Sequence, residues 1–384
     1  MTVDQARALF PHTAQGKIYM NHAGTSPLST RVVKAMTDYL HQRSEGRIEN
    51  YQHDLPMVAE CKSMITRLIN AESPDRIALT ANTSDGLNII AGGIKWKSGD
   101  RILLGDFEFP ANVWPYLNLR RLGVQIDFIS SEKGEITPDQ ITRHIGNRTR
   151  IVAISAVQFL SGFRADLATI ADLCQSHGAL LIVDGIQAVG AVRIDVRAMK
   201  IDALAAGGQK WQTSPHGSGF LYLTETLQQQ LDPAYLGWLA VENPWHFSDF
   251  EQLPASTARR FEGGSLNMPG LWGYHAALST LLEFGTEEIH NRIESLTGVL
   301  LAEFQNIPGV RIYTQSGCQQ RAGIITIIPD ARLNAETIFK RMLQHNLTPA
   351  LRQGMLRFSP HFYMTEKEME TAVGITRECL REMG

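Results

Sequence analysis

The sequence predicts an α/β fold in which a mostly parallel, seven-stranded sheet carries helices on both faces and a smaller α+β domain follows. From about residue 76, short apolar runs alternate with amphipathic stretches, which is the pattern of strand–helix–strand units. The alternation ends near residue 223, well before the end of the chain. At 384 residues the chain is also longer than one hydrophobic core usually serves. Two domains are therefore expected.

Seven apolar runs are the candidate strands of the large domain, which is predicted to span residues 17–258. Between two of them, Asp166–His177 places Leu167, Ile170 and Leu173 on one helical face and stops at Gly178. Sheets of this kind bind their ligands at the carboxyl ends of the strands, so the search for a site begins there. The runs are Arg76–Ala81, Arg101–Asp106, Val124–Ile129, Ile151–Val157, Ala179–Asp184, Asp202–Ala206 and Phe220–Leu223.

The remaining chain predicts a different arrangement. Residues 224–258 are rich in Pro, Trp and Gln and are interpreted as an irregular connection. A small C-terminal domain is predicted over residues 259–384, and the helical N-terminal segment 1–16 is expected to dock on it. Its first element is a long helix over Leu271–Glu294, with room for one break. The further predicted strands and helices are Val310–Thr314, Ile324–Ile328, Leu356–Ser359, 335–345 and 365–382.

Composition and charge exclude several classes of function. The net charge is −3 and basic residues are mixed with acidic ones, so no basic stripe predicts binding to nucleic acid or to a membrane surface. The N-terminus lacks the apolar core of a secretory signal, and no apolar run approaches the ~20 residues that span a bilayer. The four cysteines lie far apart and have no metal-ligand spacing. Reduced thiols, a cytoplasmic location and no metal site are expected.

Lys210 is the first candidate for chemistry. It follows an apolar run that ends at Ala206 and a Gly-Gly pair, which lets the backbone approach a ligand closely. A partly desolvated amine at the carboxyl end of a strand has a lowered pKa and attacks carbonyl groups. For any lysine taken alone, a solvated surface position is the competing interpretation.

Two further strand ends carry polar groups that agree with this interpretation. Asp184 ends a run that is apolar throughout, so its carboxylate needs a cation or a helix N-terminus. A protonated pyridine nitrogen would supply the cation and make the ring an electron sink. Thr83 and Ser84 join the first strand to a helix, where free N–H groups bind phosphate, although a simple N-cap has the same pattern. Combined with Lys210, these residues predict a cofactor with a phosphate and a pyridine ring.

With these residues the chain resembles the class V aminotransferase family. These are fold-type I pyridoxal-5′-phosphate (PLP) proteins and include cysteine desulfurases, selenocysteine lyases, kynureninases and isopenicillin-N epimerases. The resemblance runs from Tyr19 to Tyr363. It implies PLP bound as a Schiff base to Lys210, and an amino acid or 2-oxo acid as substrate. In the motif Asp184-Gly-Ile-Gln187, it implies that Asp184 pairs with the pyridine nitrogen and Gln187 contacts the 3-hydroxyl.

Other positions of the family pattern carry over with departures. Phe109 stands where the family has a histidine that stacks on the pyridine ring, so the resemblance implies an apolar plate there. Gln209 replaces a phosphate-binding histidine and Gly207 a phosphate-binding serine, which leaves the phosphate with less charge complementarity. Gln158 lies in a segment that resembles a loop beside the ring and is a weaker candidate contact.

The resemblance also implies how the substrate and a second subunit are bound. Arg357 matches the arginine that binds the substrate α-carboxylate, a geometry that suits a guanidinium group. Arg352 and His22 are further candidates for binding the substrate. His22 and His216 are also candidates for a second acid or base. Ser265 belongs to a segment that resembles one reaching the phosphate in the neighbouring subunit, which implies a homodimer with shared sites.

One absence narrows the expected reaction. Only residues 353–356 separate Arg352 from Arg357, and none of them is the reactive cysteine that desulfurases of this family carry there. A persulfide-forming cysteine desulfurase is therefore not expected. Aminotransfer is predicted first, because reprotonation by Lys210 needs no further residue. An epimerase or a C–S or β-lyase of the same family is the alternative. A PLP-binding regulator is a further one, although the chain has no room for a DNA-binding helix-turn-helix.

Overall fold

The computed structural model describes residues 1–46, 48–49, 51–131 and 133–382, and its elements are numbered here in chain order. The strands are β1 (Ile18–Tyr19), β2 (Ile77–Thr80), β3 (Arg101–Gly105), β4 (Gln125–Ile129), β5 (Thr149–Ser155), β6 (Leu180–Asp184), β7 (Ala203–Gly207), β8 (Gly219–Leu223), β9 (Val310–Ile312), β10 (Ile325–Pro329), β11 (Leu347–Thr348), β12 (Ala350–Arg352) and β13 (Met355–Phe358). The helices are α1 (Val3–Ala8), α2 (Thr30–Glu45), α3 (Tyr51–Ile69), α4 (Thr83–Gly93), α5 (Trp114–Leu117), α6 (Pro138–His144), α7 (Leu167–Ser176), α8 (Glu225–Gln230), α9 (Met268–Phe284), α10 (Thr286–Phe304), α11 (Ala335–Gln344) and α12 (Glu366–Arg381).

A seven-stranded sheet forms the centre of the fold, in the order β2–β8–β7–β6–β5–β3–β4. Neighbouring strands are parallel except at β8, which is antiparallel to both β2 and β7. The prediction of a mostly parallel, seven-stranded α/β sheet is confirmed, and the predicted strand bounds differ by at most two residues. Because only β8 is reversed, the carboxyl ends of the other six strands lie along one edge of the sheet.

The central strands are apolar because both faces of the sheet are covered. Every residue of β7 is buried, and in β6 the residues after Leu180 are buried too, as is usual for parallel strands between helical layers. Helix α7 shows how the sequence sets the ends of a covering helix. The Asp166 carboxylate accepts a hydrogen bond from the Thr169 N–H at 3.2 Å, and Gly178 takes a left-handed φ of 68°.

The C-terminal part contains a four-stranded antiparallel sheet, in the order β12–β13–β10–β9, together with α10, α11 and α12. The three predicted strands of this part and its two later helices are present, whereas β11 and β12 were not predicted. The predicted long helix is two helices, because α9 ends at Phe284 and α10 begins at Thr286. Gly285 between them has a φ of 102°, which interrupts the helical path.

The N-terminal segment docks on the C-terminal part, as predicted. Arg7 forms an ion pair with Glu368 at 2.6 Å, and the Phe10 ring stacks on the Tyr363 ring with 3.8 Å between centroids. Strand β1 continues the attachment by pairing with β11. The apolar core runs from the central sheet into this part without interruption, and a division of the chain at residues 258 and 259 stays a prediction.

The connection over residues 224–258 is mostly irregular, as expected, apart from α8. Within the described ranges, no helix is long and apolar enough to cross a membrane. The same ranges contain no group of three or more His, Cys, Asp or Glu side chains arranged to hold a metal ion.

Candidate active site

A cavity of about 380 Å³ opens at the edge of the sheet where the parallel strands end. It lies beyond the ends of β2, β6 and β7, as the sequence predicts for a ligand of such a sheet. Nine of the residues singled out in the sequence line it: Thr83, Ser84, Phe109, Asp184, Gln187, Gln209, Lys210, Arg352 and Arg357. Residues more than 270 positions apart in the chain therefore share one site.

Lys210 lies three residues beyond β7 and is only 9 % exposed. Burial lowers the pKa of its amine to about 8; Asp184 opposes this effect, and the cationic Arg357 and Arg352 add to it. The amine therefore loses its proton near pH 8, well below the pH at which an exposed lysine does so, which suits a nucleophile or a base. Gly208 lets the chain turn here, because a Cβ at that position would lie 2.8 Å from the Ser214 Cβ.

Asp184 ends β6 as a buried carboxylate that is 1 % exposed. One oxygen, Oδ1, accepts a hydrogen bond from the Ile186 N–H at 3.0 Å, whereas Oδ2 is buried and has no hydrogen-bond partner among the residues that the structure describes. Burial raises the pKa of this carboxyl to about 6, although the Ile186 N–H and Lys210 act in the opposite direction. The carboxylate is therefore short of a donor or a cation on the side of Oδ2.

Helix α4 begins at the cavity and presents its N-terminus to it. Asn82 caps the helix by accepting a hydrogen bond from the Asp85 N–H at 3.0 Å. Thr83 Oγ1 accepts from the Gly207 N–H at 2.9 Å, so the hydroxyl is held against β7 while its hydrogen remains free to donate. Gly86 brings the helix close to β7, because a Cβ there would lie 2.8 Å from the Ala205 Cβ. Such a helix start binds anions.

Gln209 occupies the space that Gly207 leaves open. A Cβ at Gly207 would lie 2.5 Å from Gln209 Oε1, so a larger residue at 207 would displace the amide. Gln209 Oε1 is buried and, in the part of the chain that the structure describes, has no hydrogen-bond partner. The two departures from the family pattern are therefore neighbours in space, and one makes room for the other.

Phe109 extends over the cavity from the short turn Pro110–Asn112 and is 42 % exposed. Its ring meets the Phe159 ring edge-on, with 5.5 Å between centroids. The Lys210 Nζ lies 5.4 Å from the Phe109 centroid. An apolar aromatic surface therefore faces the amine, in the position predicted for a ring plate.

Arg357 is a deeply buried cation at the far side of the cavity, 2 % exposed. Its guanidinium donates to the Phe159 carbonyl and to Asn21 Oδ1, while Nε has no partner within the described ranges. Burial, and next the charge of Arg352, lower the pKa of Arg357. Arg352 lies exposed at the rim and donates to the Leu351 carbonyl at 2.8 Å. Two cations without a carboxylate partner form a site for an anionic group.

Four of the residues singled out in the sequence lie outside this cavity. His22 is fully buried behind it, where Nδ1 lies 2.8 Å from the Ser359 carbonyl and Nε2 lies 2.7 Å from the Tyr363 hydroxyl. Both ring nitrogens are therefore engaged within the protein, and the structure does not bring His22 to the cavity; its contact with the substrate stays a prediction. Gln158 is also buried and donates to Glu108 at 2.8 Å instead of facing the cavity. Ser265 lines a separate cavity of about 270 Å³, and His216 is exposed to solvent.

Glu108 is a buried carboxyl to which sequence reasoning assigned no role. Four donors surround it: the Ser155 N–H at 2.9 Å, the Ser155 hydroxyl, Gln158 Nε2 at 2.8 Å and Asn112 Nδ2 at 3.1 Å. Burial raises its pKa to about 7, against these hydrogen bonds and with a smaller contribution from Asp184. The carboxyl joins the Phe109 turn to the end of β5. The sequence signal that could have identified Glu108 is its position just beyond the apolar run Arg101–Asp106.

The polar atoms left unpaired around the cavity fit the groups of pyridoxal 5′-phosphate. Asp184 Oδ2 is a buried acceptor that needs a donor such as a protonated pyridine nitrogen. The free N–H groups at the start of α4 suit a phosphate, and the Lys210 amine suits an aldehyde. Arg357 Nε is a buried donor that suits a carboxylate. The residues present therefore match this cofactor and an amino-acid substrate.

Comparisons with known proteins agree with the geometry. The family model for class-V aminotransferases matches residues 18–371. A probable cysteine desulfurase of Methanothermobacter thermautotrophicus is 30% identical over 96% of this chain and 95% of its own length. The uncharacterized aminotransferase YcbU of Bacillus subtilis is 27% identical over 96% of each chain.

Solved structures extend the similarity to the fold. The cystine C–S lyase C-DES, in complex with its reaction product cysteine persulfide, is 25% identical with a TM-score of 0.88, over 96% of this chain and 99% of its own. A C-DES mutant with glycine covalently linked to its PLP cofactor superposes equally well, over 97% of this chain. Together with the match to the family model, these similarities show that the chain belongs to the class-V aminotransferase family and is a PLP-dependent enzyme of the fold-type I architecture.

Proposed function

We propose that this enzyme cleaves the carbon–sulfur bond of a cystine-type amino acid by β-elimination, without a thiol of its own. One observation carries the proposal: among the residues that the structure describes, an amine and two guanidinium groups line the cavity, but no cysteine does. Residues 353 and 354 form a tight connection between β12 and β13, and residues 353–356 contain no cysteine either. A mechanism that forms a persulfide on the enzyme would need such a thiol, whereas an elimination releases the sulfur with the leaving group.

The similar proteins support chemistry at sulfur, and they change the order of the candidates. Relatives named cysteine desulfurase and a structure named as a cystine C–S lyase share this fold. Aminotransfer, which the sequence analysis ranks first, therefore becomes the second candidate. It keeps support from YcbU, named as an aminotransferase, and from Lys210, which would suffice as the proton carrier.

In the proposed assignment each residue of the cavity has one task. Thr83, Ser84 and Gln209 hold the phosphate of PLP, and Asp184 holds the proton on the pyridine nitrogen. Gln187 contacts the 3-oxygen, Phe109 covers one face of the ring, and Lys210 is the attachment point. When bound, the cofactor supplies an electron sink for the bond broken at Cα.

The remaining residues bind and orient the substrate. Arg357, assisted by Arg352, binds the α-carboxylate, because both cations lack a carboxylate partner at this end of the cavity. With the cofactor bound, the Lys210 amine would remove the Cα proton. The electron pair of the Cα–H bond forms a Cα–Cβ double bond, while the Cβ–S bond breaks and its electrons leave with sulfur. The 2-aminoacrylate released is hydrolysed by water to pyruvate and ammonium.

Epimerisation is disfavoured by the same geometry. Inverting Cα requires a second acid or base on the face opposite Lys210. The aromatic pair Phe109 and Phe159 offers no titratable group there, and His22 and His216 lie outside the cavity. These contacts support elimination or aminotransfer over racemisation.

We also propose that the active unit is a homodimer with shared sites. Ser265 lies outside the cavity of its own chain, so a phosphate contact from this residue would have to reach the site of a partner. The nearby 224–258 connection exposes a run of large apolar side chains, as an interface would. They are Tyr235, Leu236, Phe247, Phe250 and Leu253, at 52, 53, 68, 89 and 74 % exposure. A cytoplasmic location stays a prediction.

Product analysis with L-cystine, with L-cysteine and with an added 2-oxo acid distinguishes the reactions. The proposal expects L-cystine to give pyruvate and ammonium in equal amounts, together with a persulfide, and no alanine. A desulfurase would instead convert L-cysteine to alanine, and an aminotransferase would move the amino group to an added 2-oxo acid without free ammonium. Alanine from cysteine, or aminotransfer at a higher kcat/KM than elimination, would overturn the assignment.

A further inference from the structure

The side-chain amide of Gln187 is held at its oxygen by a group that can only donate a hydrogen bond and at its nitrogen by a group that can only accept one. Its Oε1 accepts a hydrogen bond from the Trp211 indole Nε1–H at 2.8 Å. Its Nε2 donates to the Ala23 carbonyl at 3.0 Å. An indole N–H can only donate and a carbonyl can only accept. Both contacts therefore select the same one of the two orientations that the amide could take.

This orientation determines what Gln187 offers to the cavity that it lines. An amide NH2 group carries two hydrogens, and the Ala23 carbonyl uses one of them. The amide oxygen accepts the indole N–H of Trp211 with one of its two lone pairs. A rotation by 180° would turn Oε1 toward the Ala23 carbonyl, which has no hydrogen to give, and Nε2 toward the indole N–H. The hydrogen left over for a ligand is therefore a donor on Nε2.

Trp211 is itself fixed by its surroundings, so its indole N–H holds the Gln187 amide in one orientation. The side chain is fully buried, and its backbone carbonyl lies 2.9 Å from His361 Nε2. Its indole ring packs against Gly323, where a Cβ would lie 2.4 Å from the ring atom Cη2. The C-terminal part of the chain thus leaves a glycine-sized space for this indole, directly after Lys210 in sequence.

We propose that Trp211 is a positioning residue, which fixes the Gln187 amide so that a donor faces the 3-oxygen of the cofactor. The inference rests on the proposed contact between Gln187 and that oxygen. A donor there stabilises negative charge on the oxygen. It therefore favours loss of the proton that the oxygen shares with the nitrogen contributed by Lys210. Trp211 would set the pH at which the bound cofactor titrates, without touching the cofactor through its indole N–H.

The test is a titration of the visible absorbance of the purified holoenzyme between pH 5 and pH 10. The variants are Trp211→Phe, Gln187→Met and the double variant, and Trp272→Phe is the matched control, since its indole nitrogen is buried without a partner. Gln187→Met removes the donor and should raise the pKa of the bound cofactor by about one unit, the size expected for one hydrogen bond. Trp211→Phe should raise it by a smaller amount, because the freed amide is then oriented correctly only part of the time.

The double variant decides between positioning and mere packing. If Trp211 acts through Gln187, the double variant should have the same cofactor pKa as Gln187→Met alone, and Trp272→Phe should match the wild type. Additive shifts, or an unchanged pKa in Trp211→Phe, would overturn the inference. Should Trp211→Phe fail to fold, benzothienylalanine at position 211 keeps the ring shape and replaces N–H by sulfur. A wild type whose visible band does not titrate would overturn the inference, whereas a wild type without any visible cofactor band would instead refute the proposed function.

Discussion

Replacing Asp184 by asparagine separates the charge of this residue from its shape. The carboxylate ends β6 with Oδ2 buried and unpartnered, so its charge is useful only when a cation or donor binds beside it. In the holoenzyme that donor is proposed to be the pyridine nitrogen. Removing one partner of a buried, charged pair costs about 3–5 kcal/mol. If the full cost appears in the transition state, kcat/KM falls by about a hundredfold to several thousandfold.

The same substitution should have the opposite effect on the protein without cofactor. Burial raises the pKa of Asp184 from 3.8 to about 6, so folding favours the protonated form. Its contribution to stability is fully present below pH 3.8 and is lost as the pH rises through about 6. At pH 8 the ionised carboxylate costs up to about 3 kcal/mol of unfolding free energy. Asp184→Asn removes this cost, so the apoprotein is expected to gain stability at pH 8 but not at pH 4.

Two measurements check the reasoning together. Urea unfolding of the two apoproteins at pH 8 and pH 4 measures the difference in free energy of unfolding. Steady-state kinetics with saturating PLP measures the loss of kcat/KM. Activity within tenfold of the wild type would refute the proposed role of the carboxylate. An apoprotein variant that is less stable at pH 8 would refute the account of a buried, unsatisfied charge.

The remaining predictions concern the amine, the carboxylate site, the cysteines and the dimer. Borohydride reduction followed by peptide mapping should find the pyridoxyl group on Lys210, and label on another lysine would contradict the assignment. Arg357→Gln should raise KM at least tenfold while the cofactor spectrum stays unchanged, because only the carboxylate partner is lost. Replacing all four cysteines by serine or alanine should leave turnover within a few-fold. Three of them, Cys61, Cys174 and Cys379, are buried, and burial raises their pKa values; the side chain of Cys318 lies outside the described part of the structure. Loss of activity in a folded single-cysteine variant would reopen a thiol mechanism. A mixture of Lys210→Ala chains with Ser265→Ala/Asn267→Ala chains should recover activity if each site uses both subunits. Activity of a dilute monomer, or no recovery despite subunit exchange, would count against shared sites.

The sequence was sufficient to predict the fold and the centre of the site. Strand–helix alternation predicts a parallel sheet, and carboxyl ends of parallel strands share one edge, so Asp184 and Lys210 had to lie near each other. Nine of the predicted site residues line the same cavity. Local pattern also sets the helix ends, such as the Asp166 cap of α7 and the break at Gly285.

Only the tertiary structure decided which polar side chains face the ligand and which face the protein. His22 and Gln158 belong to segments that approach the cavity, yet their hydrogen bonds go to Tyr363 and Glu108. The restraint of Gln187 by Trp211 likewise depends on a side chain 24 positions away in sequence. The residue pattern along the chain predicts where a strand ends. The partners of a buried polar group are chosen by packing, because each such group must find a donor or acceptor wherever the folded chain happens to bring one.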